Sequence, residues 1–265
     1  MHTLDGAEVT IDSGEVTKVH RAGTDPRDLA TRLRVAARLG ADGTGPLLAP
    51  LHTVPERFGS RWRSRWPRIE TAAHERGATP WAEAGRLLAG LHLQTVTDED
   101  RSLQQGAPQR LRRAMYALNH RGSSTHITRA AATLPMRVWM PGAPGRPQTL
   151  VHGDWHLGQV GRRPSGAWTL IDIDDVGVGD PAWDLARTAG FWAAGLLADS
   201  DWQTFIDAYR GAGGLAVPPA LTDPWTVLEP FARAAVVQAA AAGAVHGRDD
   251  ETQDLLIDAC ARMAA

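Results

Sequence analysis

TLVHGDWHLGQVGRRPSGAWTLIDIDDVGVGDPAWDLA, residues Thr149 to Ala186, decides how the rest of this chain is read. Asp154 follows a short apolar strand, Gln159 comes five residues later, and Asp172 ends a second apolar strand, Trp168 to Ile171, eighteen residues after Asp154. The order is one carboxylate and then two oxygen donors. Phosphoryl transfer asks for little more: a carboxylate that orients and deprotonates an acceptor hydroxyl, and oxygen ligands that hold Mg²⁺ against nucleotide phosphates. Asp154 is the candidate base, and Gln159 and Asp172 are the candidate metal ligands.

Two motifs in this stretch resemble those of the aminoglycoside phosphotransferase and choline kinase group, whose fold is that of the protein kinases. His152-Gly153-Asp154-Trp155-His156-Leu157-Gly158-Gln159 is similar to its HGDxHxGN signature, with Gln in place of Asn. Ile171, Asp172, Asp175, Gly177, Gly179, Asp180, Pro181, Asp184 and Leu185 match its I-D-x-x-D-x-G-x-G-D-P-x-x-D-L run. The Gln variant further resembles the maltokinase and glucosamine kinase branch. An amide oxygen on a stem one methylene longer is the same hard ligand, so the exchange alters metal geometry more than chemistry.

The resemblance implies an α+β, bilobal protein-kinase-like fold: a shortened, β-rich nucleotide-binding lobe over residues 1–69 and a larger, mostly helical catalytic and acceptor-binding lobe over 70–265. It implies ATP or GTP as co-substrate, Mg²⁺ as cofactor, and a hydroxyl of a small molecule such as an aminoglycoside or an (amino) sugar as acceptor. A kinase also needs one compact ammonium on a small-lobe strand to pair the nucleotide phosphates, and Arg is no substitute at a tight site. Of the 28 Lys and Arg residues, 27 are Arg. The exception, Lys18, lies in the alternating run Glu15 to His20 after the turn Asp12-Ser13-Gly14, the second strand of a hairpin. Lys18 is therefore the candidate phosphate ligand. The following helix, roughly Pro26 to Leu39, contains no Glu to hold it; its single acid is Asp28, and the partner of Lys18 stays unassigned.

Composition sets the frame. A 265-residue chain that is 43% hydrophobic buries a sizeable core. A formal net charge of −2 argues against nucleic acid as principal partner. The Arg57 to Arg68 cluster, interleaved with Trp62 and Trp66, reads as a strand with a solvated face. A lone Cys260 and the polar start Met1 to Asp5 point to the cytoplasm, and no stretch is apolar over a bilayer's width.

Strands are expected at Leu47–Leu51 and Trp62–Ile69, with a hinge at Pro67–Glu70. A helix should start at Thr79 as N-cap with Pro80 first, another should lie within Gly106–Gly122, and Pro141–Pro147 should be a loop. Leu185–Ala198, Trp202–Gly211, Pro224–Val245 and Asp250–Met263 read as helices. His92, His152, His156, Asp180 and Asp184 are expected to shape the catalytic loop rather than react, and Asp174 is either a loop acid or a support for the metal site. Trp66, Trp81 or Trp155 could border a ligand. Asp249, Asp250, Glu251 and Asp254 either line an acidic acceptor pocket or start the last helix. Two rival readings stand beside the kinase: a metallohydrolase using His152, Asp154, His156, Asp172 and Asp174 as a dinuclear cluster, and a non-catalytic nucleotide-binding protein.

Overall fold

The computed structural model describes residues 6–12, 14–72, 79–122, 124–140, 142–218 and 222–264. The readings of Met1 to Asp5, Ser13 and Pro141 lie outside the described residues. Strand β1 (Glu8–Ile11) and β2 (Glu15–Val19) form the expected antiparallel hairpin. Strands β3 (Glu56–Phe58) and β4 (Arg61–Pro67) complete a sheet of order β1-β2-β4-β3. β2 is thus an interior strand, and Lys18, opposite Val9 and Ser64, is 12% exposed. Along β4 the alternation is literal: Ser64 and Trp66 are buried, while Arg61 and Arg63 pair with Glu8 and Glu56 at 2.6 and 2.7 Å. Exposed pairs of this kind contribute about 0–1 kcal/mol each, so the buried face holds the sheet.

Helix α1 (Pro26–Gly40) starts where Asp25 accepts from the Arg27 N–H at 2.7 Å and Pro26 takes the first position. Leu29, Leu33 and Ala36 make its buried stripe. The segment after it is not the strand expected at Leu47–Leu51. Leu47 makes a single parallel bridge to Leu170, after which Leu51 donates to Arg65 of β4; Pro46 and Pro50 lack the N–H groups that a continuing ladder would use.

Between Pro67 and Glu70 the chain leaves this sheet. Strand β5 (Glu70–Thr71) joins β7 (Val160–Arg162), which pairs with β8 (Trp168–Leu170), and β6 (Thr149–Val151) pairs with β9 (Gly177–Gly179). These two small sheets hold the catalytic segment. The rest is helical: α2 (Trp81–His92), α3 (Ala107–Arg121), α4 (Thr125–Ala132), α5 (Ala182–Ala193), α6 (Asp199–Gly211), α7 (Trp225–Val245) and α8 (Glu251–Met263). α7 packs against α3, α4, α5 and α8, and α2 lies on α6. No helix among the described residues is long and apolar enough to cross a membrane.

Several boundaries differ from expectation for local reasons. α2 starts at Trp81 with Pro80 as its cap, because Trp81 donates to Thr79 O in a tight turn that precedes the helix. α5 begins three residues early, since Asp180 accepts from the Ala182 N–H at 3.0 Å. It ends at Ala193 rather than Ala198 in a Schellman motif: Gly195, with φ +82, donates to Trp192 O, and Leu196 donates to Phe191 O. α4 and the short 3₁₀ turn Met136–Trp139 carry no signal read from the sequence.

At Gly190 α5 packs directly on the backbone of α7. A Cβ there would lie 2.6 Å from Ala232 O and 3.0 Å from Val236 Cγ2. Ala gains up to about 1 kcal/mol of helix propensity over Gly, but overpacking costs about 1–3 kcal/mol. Gly190→Ala is therefore expected to lower the urea midpoint; a midpoint at or above that of the parent would disprove tight α5–α7 apposition.

Candidate active site

The catalytic segment is fixed from beneath by one buried carboxylate. Asp184, on the first turn of α5, accepts from the His152 N–H at 2.6 Å and the Gly153 N–H at 2.8 Å, and lies 3.0 Å from His92 Nε2. Full burial alone would raise its pKa, but the hydrogen bond and charge of His92, with the His152 contacts, outweigh burial and lower it. His92 is held in turn by the Tyr209 hydroxyl at 2.7 Å. His152 reaches across the segment, its Nε2 2.8 Å from Ile171 O, and so ties the chain two residues before Asp154 to the residue before Asp172. Asp180 caps α5 and takes Arg146 in a bidentate pair, both contacts at 2.8 Å. His92, His152, Asp180 and Asp184 thus shape the segment through hydrogen bonds, as expected of them.

Lys18 meets the second motif across the boundary between sheet and helical body. Its ammonium lies 2.6 Å from Asp172 Oδ1 and 3.0 Å from Asp174 Oδ2. Behind Asp174, His20 Nδ1 is 3.0 Å from Oδ1, while His20 Nε2 contacts Ser64 Oγ at 2.8 Å, to which Trp66 Nε1 also donates. Burial works against both charges, yet Asp174 and Asp172 raise the pKa of Lys18, and Lys18 and His20 lower that of Asp174. The partner left unassigned by the sequence is thus Asp174 with Asp172, not an acid of α1. Where a helix Glu was sought, α1 presents Arg32, whose Nε donates to Val176 O at 2.9 Å.

Asp172 is the single described non-glycine residue with positive φ, +64. Strain of that kind persists only where its surroundings enforce it. Gln159 O accepts from the Ile171 N–H at 2.9 Å, which brings Gln159 beside Asp172. No protein group among the described residues holds the Gln159 side-chain amide. A carboxylate and a free amide oxygen are the hard donors that Mg²⁺ takes, and an ammonium already rests on Asp172, so the donor set fits the ion.

Asp154 opens onto a cavity of about 650 Å³ whose lining includes Trp155, Trp183 and Phe191 and the guanidiniums of Arg21, Arg110 and Arg187. Its side chain is 41% exposed, and that opening is into the cavity. Burial there pushes its pKa up, with Asp175 acting in the same direction, against Arg110, His152 and Arg187. Arg110 lies 3.2 Å from Asp154 Oδ1 and also binds Asp175 and Gly153 O. Burial foremost, helped by Arg187, drops His156 to about 4, so it is neutral at pH 7; its Nδ1 accepts from the Gly158 N–H at 3.1 Å.

One reading is corrected here. His152, Asp154, His156, Asp172 and Asp174 do not converge: among the described residues no three His, Cys, Asp or Glu side chains gather as a metal cage. Of the two alternatives for Asp249, Asp250, Glu251 and Asp254, the start of the last helix holds: none of the four lines this cavity, and Asp250 caps α8 by accepting from the Gln253 N–H at 2.9 Å. Asp175 belongs to the second motif, whereas His20 and the cavity arginines, Arg110 among them, carried no sequence signal. Of the three tryptophans singled out, Trp155 lines the cavity.

Asp184→Ala should cost about 3–5 kcal/mol, as removal of one partner from a buried, hydrogen-bonded charge network does. Because its pKa is depressed in the folded chain, this stabilisation exists above the ordinary carboxylate pKa of about 4 and fades as pH falls. Denaturant titrations of parent and variant should show a gap that is full at pH 7 and narrows as the pH is carried below about 4; a gap unchanged there would remove the ionised hub.

A sequence profile described as the phosphotransferase enzyme family matches residues 16–225. No curated protein matches the chain in sequence. Among solved structures, a choline/ethanolamine kinase family protein from Mesorhizobium loti is similar at 15% identity and a TM-score of 0.63, over 99% of this chain and 86% of that one. A thermostable mutant of the aminoglycoside phosphotransferase APH(4)-Ia gives 14% and 0.64, over 98% and 90%. Spectinomycin phosphotransferase APH(9)-Ia, solved with ADP and spectinomycin, gives 15% and 0.58, over 98% and 88%. These likenesses bear out the bilobal, protein-kinase-like α+β fold. With most of its length under the profile, the chain belongs to the phosphotransferase enzyme family.

Proposed function

We propose that this small-molecule phosphotransferase moves the γ-phosphoryl group of ATP or GTP to a hydroxyl of a small molecule. The observation that carries the reading is the meeting of Lys18 with Asp172 at 2.6 Å, which joins the strand lysine to the second motif, while Asp154 of the first motif opens onto a cavity. Asp154 accepts the hydroxyl proton as the acceptor oxygen bonds to the γ-phosphorus. The bond to the β–γ bridging oxygen breaks, and its electron pair leaves with the nucleoside diphosphate. Lys18 pairs the α and β phosphates, exchanging one carboxylate partner for phosphate oxygens. Asp172 and Gln159 hold Mg²⁺, which supplies neutralisation of the charge on the transferred group. No covalent phosphoenzyme is required.

The rival reading as a non-catalytic nucleotide binder drew on the missing helix Glu, the shortened nucleotide lobe and Gln159. Asp174, backed by His20, answers the first of these, and an open carboxylate facing a cavity suits general base work.

Nucleotide consumption in the presence of Mg²⁺ across an acceptor panel tests the proposal. With the responding acceptor, Asp154→Asn should lower kcat by about 10²–10⁴-fold, the range general base catalysis supplies, while nucleotide binding persists. A variant as active as the parent would end the assignment of Asp154. The base must be ionised, and its pKa is raised, so kcat/KM should fall with acid along a limb centred above about 4. A profile flat down to that pH would remove the base.

A further inference from the structure

The charge of the acceptor cavity does not suit a polycation. Five guanidiniums line it, those of Arg21, Arg110, Arg113, Arg187 and Arg248, against the two carboxylates of Asp154 and Asp175. Both carboxylates are already engaged by Arg110. Arg21, Arg187 and Arg248 make no ion pair with any described residue; Arg187 merely lies over the Phe191 ring, 5.1 Å from its centroid. Arg187 shows the crowding of positive charge: burial lowers its pKa, and Arg110 and Arg248 lower it further against the pull of Asp154. The five arginines come from separate places in the fold: the end of β2, α3, α5 and the turn before α8. Trp183, Phe191 and Leu256 give the same cavity an apolar wall.

Resting on the reading of Asp154 as the base, we propose that the acceptor is a hydroxylated small molecule that also carries an oxyanion, a carboxylate or a phosphate. Its hydroxyl faces Asp154, its anionic group is held by Arg187 and Arg248, and its CH face lies on the aromatic wall. Guanidinium forks match both oxyanions in bidentate geometry. An aminoglycoside would instead bring ammonium groups beside unpaired guanidiniums, and a neutral sugar would leave them unpaired.

Calorimetric titration tests this on protein saturated with ADP and Mg²⁺, so that the nucleotide site is filled. The probes are gluconate, glucose 6-phosphate, glucose, glucosamine and kanamycin. One or both anions should bind at least tenfold more tightly than glucose and the two cations, and the comparison of gluconate with glucose 6-phosphate separates carboxylate from phosphate. Arg187→Gln and Arg248→Gln should each weaken the anion by tenfold or more with ADP affinity unchanged, and Arg187→Lys should restore it in part. Tighter binding of glucosamine or kanamycin, no binding of either anion, or anion affinity indifferent to both variants would overturn the inference. Failure of ADP to bind, or turnover retained in Asp154→Asn, would instead count against the kinase reading beneath it.

Discussion

Lys18 and Asp172 stand 154 positions apart in the chain and 2.6 Å apart in space, and the arrangement of the two lobes at the site follows from that contact. A cation and two carboxylates share a nearly closed space between sheet and catalytic segment. Taking each out of water alone is costly, so the group is tolerated only when all three are assembled. The sheet supplies the ammonium and an imidazole; the catalytic segment supplies the acids, one on a left-handed backbone. Ser64 and Trp66 close the space behind His20, so the core of the small sheet and the polar site are one continuous packing.

The helical body works differently. There a fully buried acid, Asp184, sets the backbone of the catalytic loop, and α2, α5 and α6 converge on it through His92 and Tyr209. Rigidity is concentrated under the loop, whereas above it Asp154 faces open volume. Two carboxylates on adjoining elements thereby take opposite characters: Asp184 is held ionised by its donors, while Asp154 is shifted toward its protonated form by burial. Environment rather than residue type sets the two apart.

Much of this was legible in the sequence where the chemistry is local. The spacing of Asp154, Gln159 and Asp172 carries the motif directly, and Lys18 stood out because every other cation is Arg. The structural roles of Asp180 and Asp184 followed from acids placed just before and inside a helix start. What was hidden depends on distance in space. Asp174 as the lysine's partner needs the sheet to be brought against the second motif, and a search along α1 for a Glu looked in the wrong element. The cavity arginines lie at positions 21, 110, 113, 187 and 248, with no shared spacing. In a chain whose surface charge is Arg throughout, none is distinguishable by type. Leu47–Leu51 looked like a strand because its apolar run is strand-like, but the flanking prolines cannot extend a ladder.

The solitary lysine has an analytical consequence. Apart from the chain's α-amino group, acylating reagents have one amine to find, and it is mostly buried, protonated and covered by two carboxylates. Its resistance to labelling is therefore a direct gauge of the closed ion pair. Any event that draws the ammonium away from Asp172 and Asp174 becomes visible as a change at a single peptide, without a probe having to be introduced.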